Sequence, residues 1–487
     1  MPELDPVRID AALAAVLPPQ TLYAVGGRVR DEVRSAFDGI ERPAKDLDYV
    51  VAGLELADLL ERMRRLGTAD VAGAAFAVVK VTIGGVTVDV ALPRRERSTG
   101  LGHRDFTVEA GPDVPLEDDL ARRDFRMNML ARALPDGALV DPYGGADDIR
   151  DRRIDLLRPE AFEEDPLRML RACQFAARFA FRVTEATMAA MRSAAPLVTT
   201  VSPERVRDEL VKLLGAAVPS AGFELMREGD VLGYVLPEVA EGFGVGQNAY
   251  HAYDVYRHGL ATLDAVPAGD TVLRLAALFH DVAKPRTKSR DTSGTHFYRH
   301  EVVGETLARL ALERLRFPND TSETVGRLVR NHMYGADPEL EAKTIRRFIK
   351  RIGPELLERQ FALRAADIVG SGLPKRGDEN ERFEACVKAV AGQAPPLSVG
   401  DLAVDGDDVI KVLVEAGRLP QGSRGDAQVG TVLRYLLERV MDDPAANTAG
   451  TLLALLDERV GAAPHGAFHV EPELDPFHGE RCGEQEW

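Results

Sequence analysis

One stretch constrains this chain more than any other. It reads Val25-Gly26-Gly27-Arg28-Val29-Arg30-Asp31 and continues to Lys45-Asp46-Leu47-Asp48-Tyr49-Val50-Val51. Leu22 to Val25 has the pattern of a strand running into two glycines, which let the backbone come close to a ligand. The helical run to Phe37 then turns its N-terminal N–H groups and positive dipole end toward the same point, where phosphate fits. Asp46 and Asp48 stand two apart on the next expected strand. Alternation puts both carboxylates on one face, where together they can hold a hard cation. Each feature alone is ordinary, since a Gly-Gly pair is most often a turn and a D-x-D a solvated edge. In strand–turn–helix–strand order they point to a nucleotide and magnesium.

G-G-x-V-R-D followed by D-x-D resembles the first motif of class II tRNA nucleotidyltransferases, the CCA-adding enzymes and bacterial poly(A) polymerases of the DNA polymerase β superfamily. Further segments carry the resemblance along the chain. Strand and helix patterns alternate from Leu22 to about Leu134, with Phe76–Val81 and Val86–Leu92 read as a hairpin. The second of these carries Asp89, which the resemblance implies as a third catalytic acid beside Asp46 and Asp48. Gly100 to Leu116 reads as a polar loop able to close over substrate. Arg122-Arg123-Asp124-Phe125-Arg126-Met127-Asn128-Met129 is similar to the family's R-R-D-F-T-I-N-A, with departures at Arg126 and Met129. The resemblance implies nucleotide binding by Gly26, Gly27, Arg28 and Arg30, and by Arg122, Arg123, Asp124 and Asn128. Asp141 to Ile149 is rich in Pro and Gly and resembles the hinge after the catalytic head.

Glu163-Glu164-Asp165-Pro166-Leu167-Arg168-Met169-Leu170-Arg171 is similar to the family's E-D-x-x-R-x-x-R, a nucleotide-binding motif in which Asp165, Arg168 and Arg171 match. Asp165 and Arg168 are three apart at a helix start, so both can reach one object. Cytosine and adenine each set an amino donor beside a ring-nitrogen acceptor, and a carboxylate with a guanidinium matches that order. The plainer reading is a helix cap and a surface ion pair. Ser202 to Leu210 resembles the E-R-x-x-x-E-L motif and reads as scaffold, with buttressing salt links.

A second constellation follows: His258, then His280-Asp281 at the end of an apolar helix, then His300, His332 and Asp367. A single histidine is most often a core or surface residue. The order His…His-Asp…Asp is that of HD-domain phosphohydrolases, whose imidazoles and carboxylates hold a divalent metal that activates water. The resemblance implies that His300 and His332 occupy additional ligand positions. Such a site suits Mn²⁺, Ni²⁺ or Fe²⁺, whereas oxygen-rich Asp46 and Asp48 suit Mg²⁺.

Composition limits the partners. The chain has 487 residues and a net charge of −17, so no global field draws it to nucleic acid. An RNA surface must be local, and the candidates are Arg122, Arg123, Arg126 and Arg132, or Arg346, Arg347, Lys350 and Arg351. Three scattered cysteines give neither a disulfide framework nor a zinc site, which fits a reducing, cytoplasmic setting. No run approaches a membrane span.

The expected fold is an α/β nucleotidyltransferase head of the DNA polymerase β type, followed by an all-α neck, an HD domain and a C-terminal helical domain. The expected bounds are 1–140 for the head, 141–240 for the neck, 241–370 for the HD domain, 371–460 for the C-terminal helices and 461–487 for a disordered tail. The implied activity is template-independent addition of C and A to the tRNA 3′ end from CTP and ATP, with no DNA or membrane partner and the oligomeric state open. Two alternatives stand beside it: a poly(A) or A-adding polymerase, and an HD phosphohydrolase with a degenerate head.

Overall fold

The computed structural model describes residues 5–42, 47–72, 77–98, 106–135, 137–292, 294–375, 377–424 and 427–462. Asp46, Phe76 and the expected tail beyond Ala462 lie outside them. The chain divides into two compact units. One comprises Met1–Ala240, Pro267–Thr271 and Arg314–Phe317, and the other Glu241–Val266, Val272–Glu313 and Pro318–Trp487.

The first unit begins with α1 (Pro6–Val16), which Asp5 caps by accepting from Val7 N and Arg8 N. Strand β1 (Leu22–Val25) leads into α2 (Gly27–Asp38), and β2 (Asp48–Val51) is followed by α3 (Leu56–Arg64). Then come β3 (Thr68–Val71), β4 (Val78–Ile83), β5 (Val86–Ala91), β6 (Arg94–Ser98), β7 (Phe106–Ala110), α4 (Leu116–Ala121), β8 (Ala131–Ala133) and β9 (Leu139–Val140). Seven strands form one mixed sheet in the order β3-β4-β5-β2-β1-β8-β9. The ladders are antiparallel except at the centre, where β2 and β5 run parallel. Val25, Val50, Leu116, Leu120, Met129 and Ala131 pack as one apolar cluster against this sheet. The hairpin expected around residues 76–92 forms as β4–β5.

The loop expected from Gly100 to Leu116 is only partly a loop. Residues 99–105 lie outside the described part, and Phe106–Ala110 pairs with Arg94–Ser98 as an antiparallel ribbon. Backbone groups that a polar composition had left to solvent are satisfied by each other.

Beyond β9 helices dominate: α5 (Gly145–Arg150), α6 (Ala161–Glu164), α7 (Leu167–Phe179), α8 (Glu185–Ala194) and α9 (Pro203–Leu214). A short parallel ladder joins Arg153–Ile154 to Arg182–Val183. Among its described residues the second unit is helical apart from the hairpin Ser289–Asp291 with Gly294–His296. Its last helices enclose their own core of Val409, Leu413, Val432, Leu436, Leu452 and Leu456.

The basic helix Ala342–Ile352 is not a free RNA surface. Arg346 is buried and donates to the carbonyls of Met441 and Asp442, while Arg347 and Lys350 pair with Glu438. Its positive charge closes a helix–helix contact. Among the described residues no helix is long and apolar enough to cross a membrane.

Candidate functional site

A cavity of about 340 Å³ opens in the first unit at the junction of β1, α2 and the helices after the sheet. It is lined by Gly26, Gly27 and Arg30, by Asp48, Arg122 and Arg123, and by Asp165, Arg168, Arg171 and Arg205. Gly26 has φ +78°, a conformation that costs L side chains energy, and a Cβ there would lie 3.2 Å from Asp48 Oδ2. Glycine is therefore required twice over, by backbone shape and by the carboxylate beside it. Helix α2 starts at Gly27 with no side-chain cap, so its first N–H groups face the cavity as an anion seat.

Asp48 is the register partner of Asp89 across the parallel ladder, and Asp89 is in turn opposite Lys80 on β4. Lys80 pairs with Asp89 at 3.3 Å.

Charged side chains at the cavity are held by a continuous network. Buried Asp124 accepts from Asn128 Nδ2 at 2.8 Å, from Phe125 N at 2.9 Å and from Arg171 Nε at 2.8 Å. Asn128 Oδ1 accepts from Arg30 Nη1 at 2.9 Å. Arg30 lies 4.6 Å from the Phe179 ring and Arg171 lies 5.2 Å from Phe175, so aromatic faces on α7 steady both guanidiniums. Burial pushes the Asp124 pKa up, but Arg171, Asn128 and Arg168 outweigh it and hold the carboxyl below its usual value.

Asp165 and Arg168 both reach the cavity without forming the ion pair that their spacing allows. Asp165 Oδ1 accepts from Leu167 N at 3.3 Å, and Oδ2 accepts from Arg205 Nη2 at 2.9 Å. Arg168 donates to the carbonyls of Ala161 and Arg122. The E-R-x-x-x-E-L segment is thus more than scaffold. Glu209 does buttress, pairing with Lys212 at 2.8 Å, but Arg205 belongs to the cavity wall. Its motif was visible in the sequence, whereas its partner forty residues earlier was not.

Arg28 does not join the cradle. It turns to the other side of α2, donating to Asp10 Oδ2 at 2.6 Å and Glu32 Oε1 at 2.8 Å, with Tyr49 Oη also on Asp10 at 2.6 Å. One helical step away from Gly27 is enough to point it off the site. The two departures from the family pattern are also structural. Arg126 pairs with Asp148 at 2.6 Å, and Met129 is buried in the sheet core. Arg132 pairs with Glu32, which leaves Arg122 and Arg123 as the cavity's members of that basic run.

The second unit brings the other predicted residues together. His258 Nε2 lies 3.2 Å from Asp281 Oδ2 and 3.1 Å from Asp367 Oδ1, with His280 Nε2 2.9 Å away. On the far side of the same carboxylate, Asp281 Oδ1 is 3.3 Å from His300 Nε2 and 3.5 Å from His332 Nε2. His280, His300 and His332 each turn Nδ1 to the carbonyl three residues earlier, at 2.8, 2.7 and 2.7 Å. Those bonds place the Nδ1 proton on the carbonyl side and turn Nε2 inward, the atom that metal ligation would use.

Neither Asp281 oxygen has a well-directed hydrogen bond, although both are buried. Lone pairs facing one another at such distances call for positive charge between them, from protons or from a metal. Burial lowers the His280 pKa, but Asp281 and Asp367 overcome it and lift the ring to about 10. Both carboxyls are held well below their usual range by the cations around them, against the effect of burial.

Among the described residues, donor atoms within 4.8 Å of one another form three overlapping sets: His258, His280 and Asp367; Asp281, His300 and His332; His251, His258 and Asp281. His251 was not foreseen. It lies outside the His…His-Asp…Asp order, and only its closeness in sequence to His258 hinted at a role. Its ring packs edge-on to His258 with centroids 4.6 Å apart. Lys284 Nζ sits 2.6 Å from Asp281 Oδ2 and 2.7 Å from Gln247 Oε1.

Comparison with known proteins agrees with this division. Residues 22–155 match the poly(A) polymerase head domain, 180–243 the probable RNA and SrmB-binding site of polymerase A, and 248–369 the HD domain. The multifunctional CCA protein of Nitrosococcus oceani is 37% identical over 398 residues, covering 78% of this chain and 93% of that protein. Its counterpart in Xanthomonas campestris is 34% identical over 405 residues, covering 79% and 93%. Among solved structures, the Bacillus stearothermophilus CCA-adding enzyme in complex with CTP superposes with a TM-score of 0.65 at 23% identity, covering 94% of this chain and 98% of that one. The Thermotoga maritima CCA-adding enzyme complexed with tRNA gives 0.54 at 19% identity, covering 94% and 97%. At those identities the superpositions speak for the fold. The sequence relationship goes further: this chain belongs to the class II CCA-adding enzyme and poly(A) polymerase family, in the branch that carries an HD domain.

Proposed function

We propose that the protein adds C and A to the 3′ end of tRNA, using CTP and ATP without a nucleic-acid template. One observation carries the reading: the glycine cradle, the strand acid Asp48 and the pair Asp165 and Arg168 line a single cavity. In this reading the α2 N-terminus, Gly26, Gly27 and Arg30 take the triphosphate, with Arg122 and Arg123 beside them. Asp124, Asn128 and Arg171 act as a bonded unit that sets the sugar pocket. Asp165 accepts from the base amino group while Arg168 donates to the ring nitrogen or carbonyl beside it. Uracil and guanine present the reverse order, and a good bidentate match is worth about 1–3 kcal/mol of discrimination.

Asp48 and Asp89, with Asp46, are suited to Mg²⁺, which when bound supplies positive charge at the reacting phosphate. The chain's own part is to hold Asp48 and Asp89 opposite each other on adjacent strands, with Asp48 beside the phosphate seat. The named relatives are called CCA proteins, and this supports full CCA addition over poly(A) or A-only synthesis. Free Cys173 and Cys386 fit a cytoplasmic enzyme.

The cluster around Asp281 favours a second, metal-dependent phosphohydrolase activity, with His258, His280 and Asp367 as one ligand set and His300 and His332 as the other. Such a donor set suits Mn²⁺, Ni²⁺ or Fe²⁺ and supplies Lewis acidity toward a phosphate ester.

The test of the main reading is incubation with tRNAs ending before the first C, after C and after CC, with each labelled NTP alone and then together. Ordered incorporation of C, C and A supports it. Continued A addition makes the protein a poly(A) polymerase, and no incorporation leaves only the phosphohydrolase.

A further inference from the structure

We propose that Arg205 is a specificity-determining residue, which positions the Asp165 carboxylate for the base amino group. The inference rests on the base-reading role given to Asp165 and Arg168. It names the residue on which that reading depends.

An ionised carboxylate only accepts, and it can accept along several lone-pair directions. A free Asp165 side chain would sweep those directions over both edges of a bound base and select poorly. In this protein two contacts set its plane: Leu167 N on Oδ1 at 3.3 Å and Arg205 Nη2 on Oδ2 at 2.9 Å. The first comes from the backbone at the start of α7. The second comes from a different helix, α9, so the carboxylate is fixed between two elements rather than within one. Arg205 lines the same cavity as Asp165 and Arg168.

Arg168 is held differently, through the carbonyls of Ala161 and Arg122 and beside Glu164 Oε2 at 3.5 Å. The two base readers thus have separate anchors, and neither spends its hydrogen-bonding edge on the other. That is the arrangement a reader of one donor and one acceptor needs. Arg205 serves as the carboxylate's counter-charge and Glu164 as that of Arg168, so neither reader draws on the other for its charge.

The pair also makes little sense as a stability device. Arg205 is 36% exposed and Asp165 27% exposed, and pairs of that exposure contribute little to folding. Its placement in the cavity wall is therefore better explained by orientation than by folding.

The experiment measures kcat/KM of the full-length protein for CTP against UTP on tRNA lacking CCA, and for ATP against GTP on tRNA ending in CC. Wild type, Arg205→Ala, Arg205→Lys and Asp165→Ala are compared, each with its melting temperature. Arg205→Ala is expected to lower both ratios about tenfold, the scale of one good base contact. Arg205→Lys should recover part of the ratio, since a lysine restores the charge without the fork. A purely structural arginine would lower rate and melting temperature together and leave the ratios alone. If Asp165→Ala collapses the ratios while both Arg205 variants keep them within about twofold, this proposal is overturned and base reading stands. If Asp165→Ala also keeps the ratios, base reading itself fails and takes the proposal with it. If Arg205→Ala does not fold, Arg205→Lys decides: wild-type ratios with lowered melting temperature overturn the proposal.

Discussion

Asp48 on β2 lies directly across the parallel ladder from Asp89 on β5. Residues opposite one another on neighbouring strands leave the sheet on the same face, so the two carboxylates stand side by side. Only Asp48 also touches the phosphate seat, through its closeness to Gly26, while Asp89 shares its charge with Lys80. The two acids are therefore unequal. Asp48→Ala is expected to lower nucleotide incorporation by about 100-fold or more, the scale for removing one electrostatic stabiliser. Asp89→Ala should lower it less and raise the Mg²⁺ concentration needed for half-maximal rate. Single-turnover assays across a Mg²⁺ series check both, and wild-type turnover in Asp48→Ala would sink the assignment.

Arg28 supplies a test of opposite kind. Its guanidinium is clamped by Asp10 and Glu32 away from the cavity, so it is expected to matter for folding and not for substrate. Arg28→Ala should cost about 1.5–3 kcal/mol of stability, the range for hydrogen bonds to charged groups. It should leave the KM for CTP within about twofold of wild type. Denaturant unfolding and steady-state kinetics on the same preparation give the answer. A large rise in KM with unchanged stability would return Arg28 to the phosphate site.

What the sequence showed and what it hid divide along physical lines. That Gly26, Asp48, Asp124 and Asn128 meet at one cavity was legible, because their placement follows from local backbone geometry and short spacing. The gathering of the second unit's histidines and aspartates was legible through their order along the chain. Arg28 was misassigned because one helical step turns a side chain by about 100°, and a motif string carries no azimuth. The pairing of Arg205 with Asp165 and the clamp of Arg346 on the Met441 carbonyl were hidden for another reason. Each joins helices tens of residues apart, and no period within either helix encodes the contact.

Acid stability follows from Asp124. Its pKa is lower in the folded protein than in the unfolded chain, because Arg171 and Asn128 favour the charged form despite burial. A depressed carboxyl stabilises the fold at pH above its unfolded value, about 3.9, and loses that contribution as pH falls through the folded value. Unfolding free energy should therefore decline on acidification below about pH 4. Asp124→Asn should flatten that decline while lowering stability at neutral pH, since Arg171 then loses its nearer counter-ion and keeps only Glu209 at 3.8 Å. Denaturant titrations at a series of pH values test this, and an unchanged acid slope in the variant would rule it out.

The last prediction concerns Asp281, the residue shared by both sides of the histidine cluster. Oδ2 faces His258 and His280, and Oδ1 faces His300 and His332. Removing this one carboxylate takes a neighbour from the histidines on both sides, whereas His332→Ala touches one side alone. Protein loaded with Mn²⁺ or Ni²⁺ and freed of excess metal should retain metal in the wild type, lose part of it in His332→Ala and lose nearly all of it in Asp281→Ala. Hydrolysis of a phosphomonoester or 2′,3′-cyclic phosphate should follow the same order. The nucleotide cavity lies in the other compact unit, so Asp281→Ala should add C and A to tRNA at close to the wild-type rate. Elemental analysis, a phosphatase assay and tRNA extension on the three proteins separate the outcomes. Full metal retention in Asp281→Ala would mean that the carboxylate is a structural partner of the histidines. Loss of CCA addition in step with metal would mean that the two sites do not act independently.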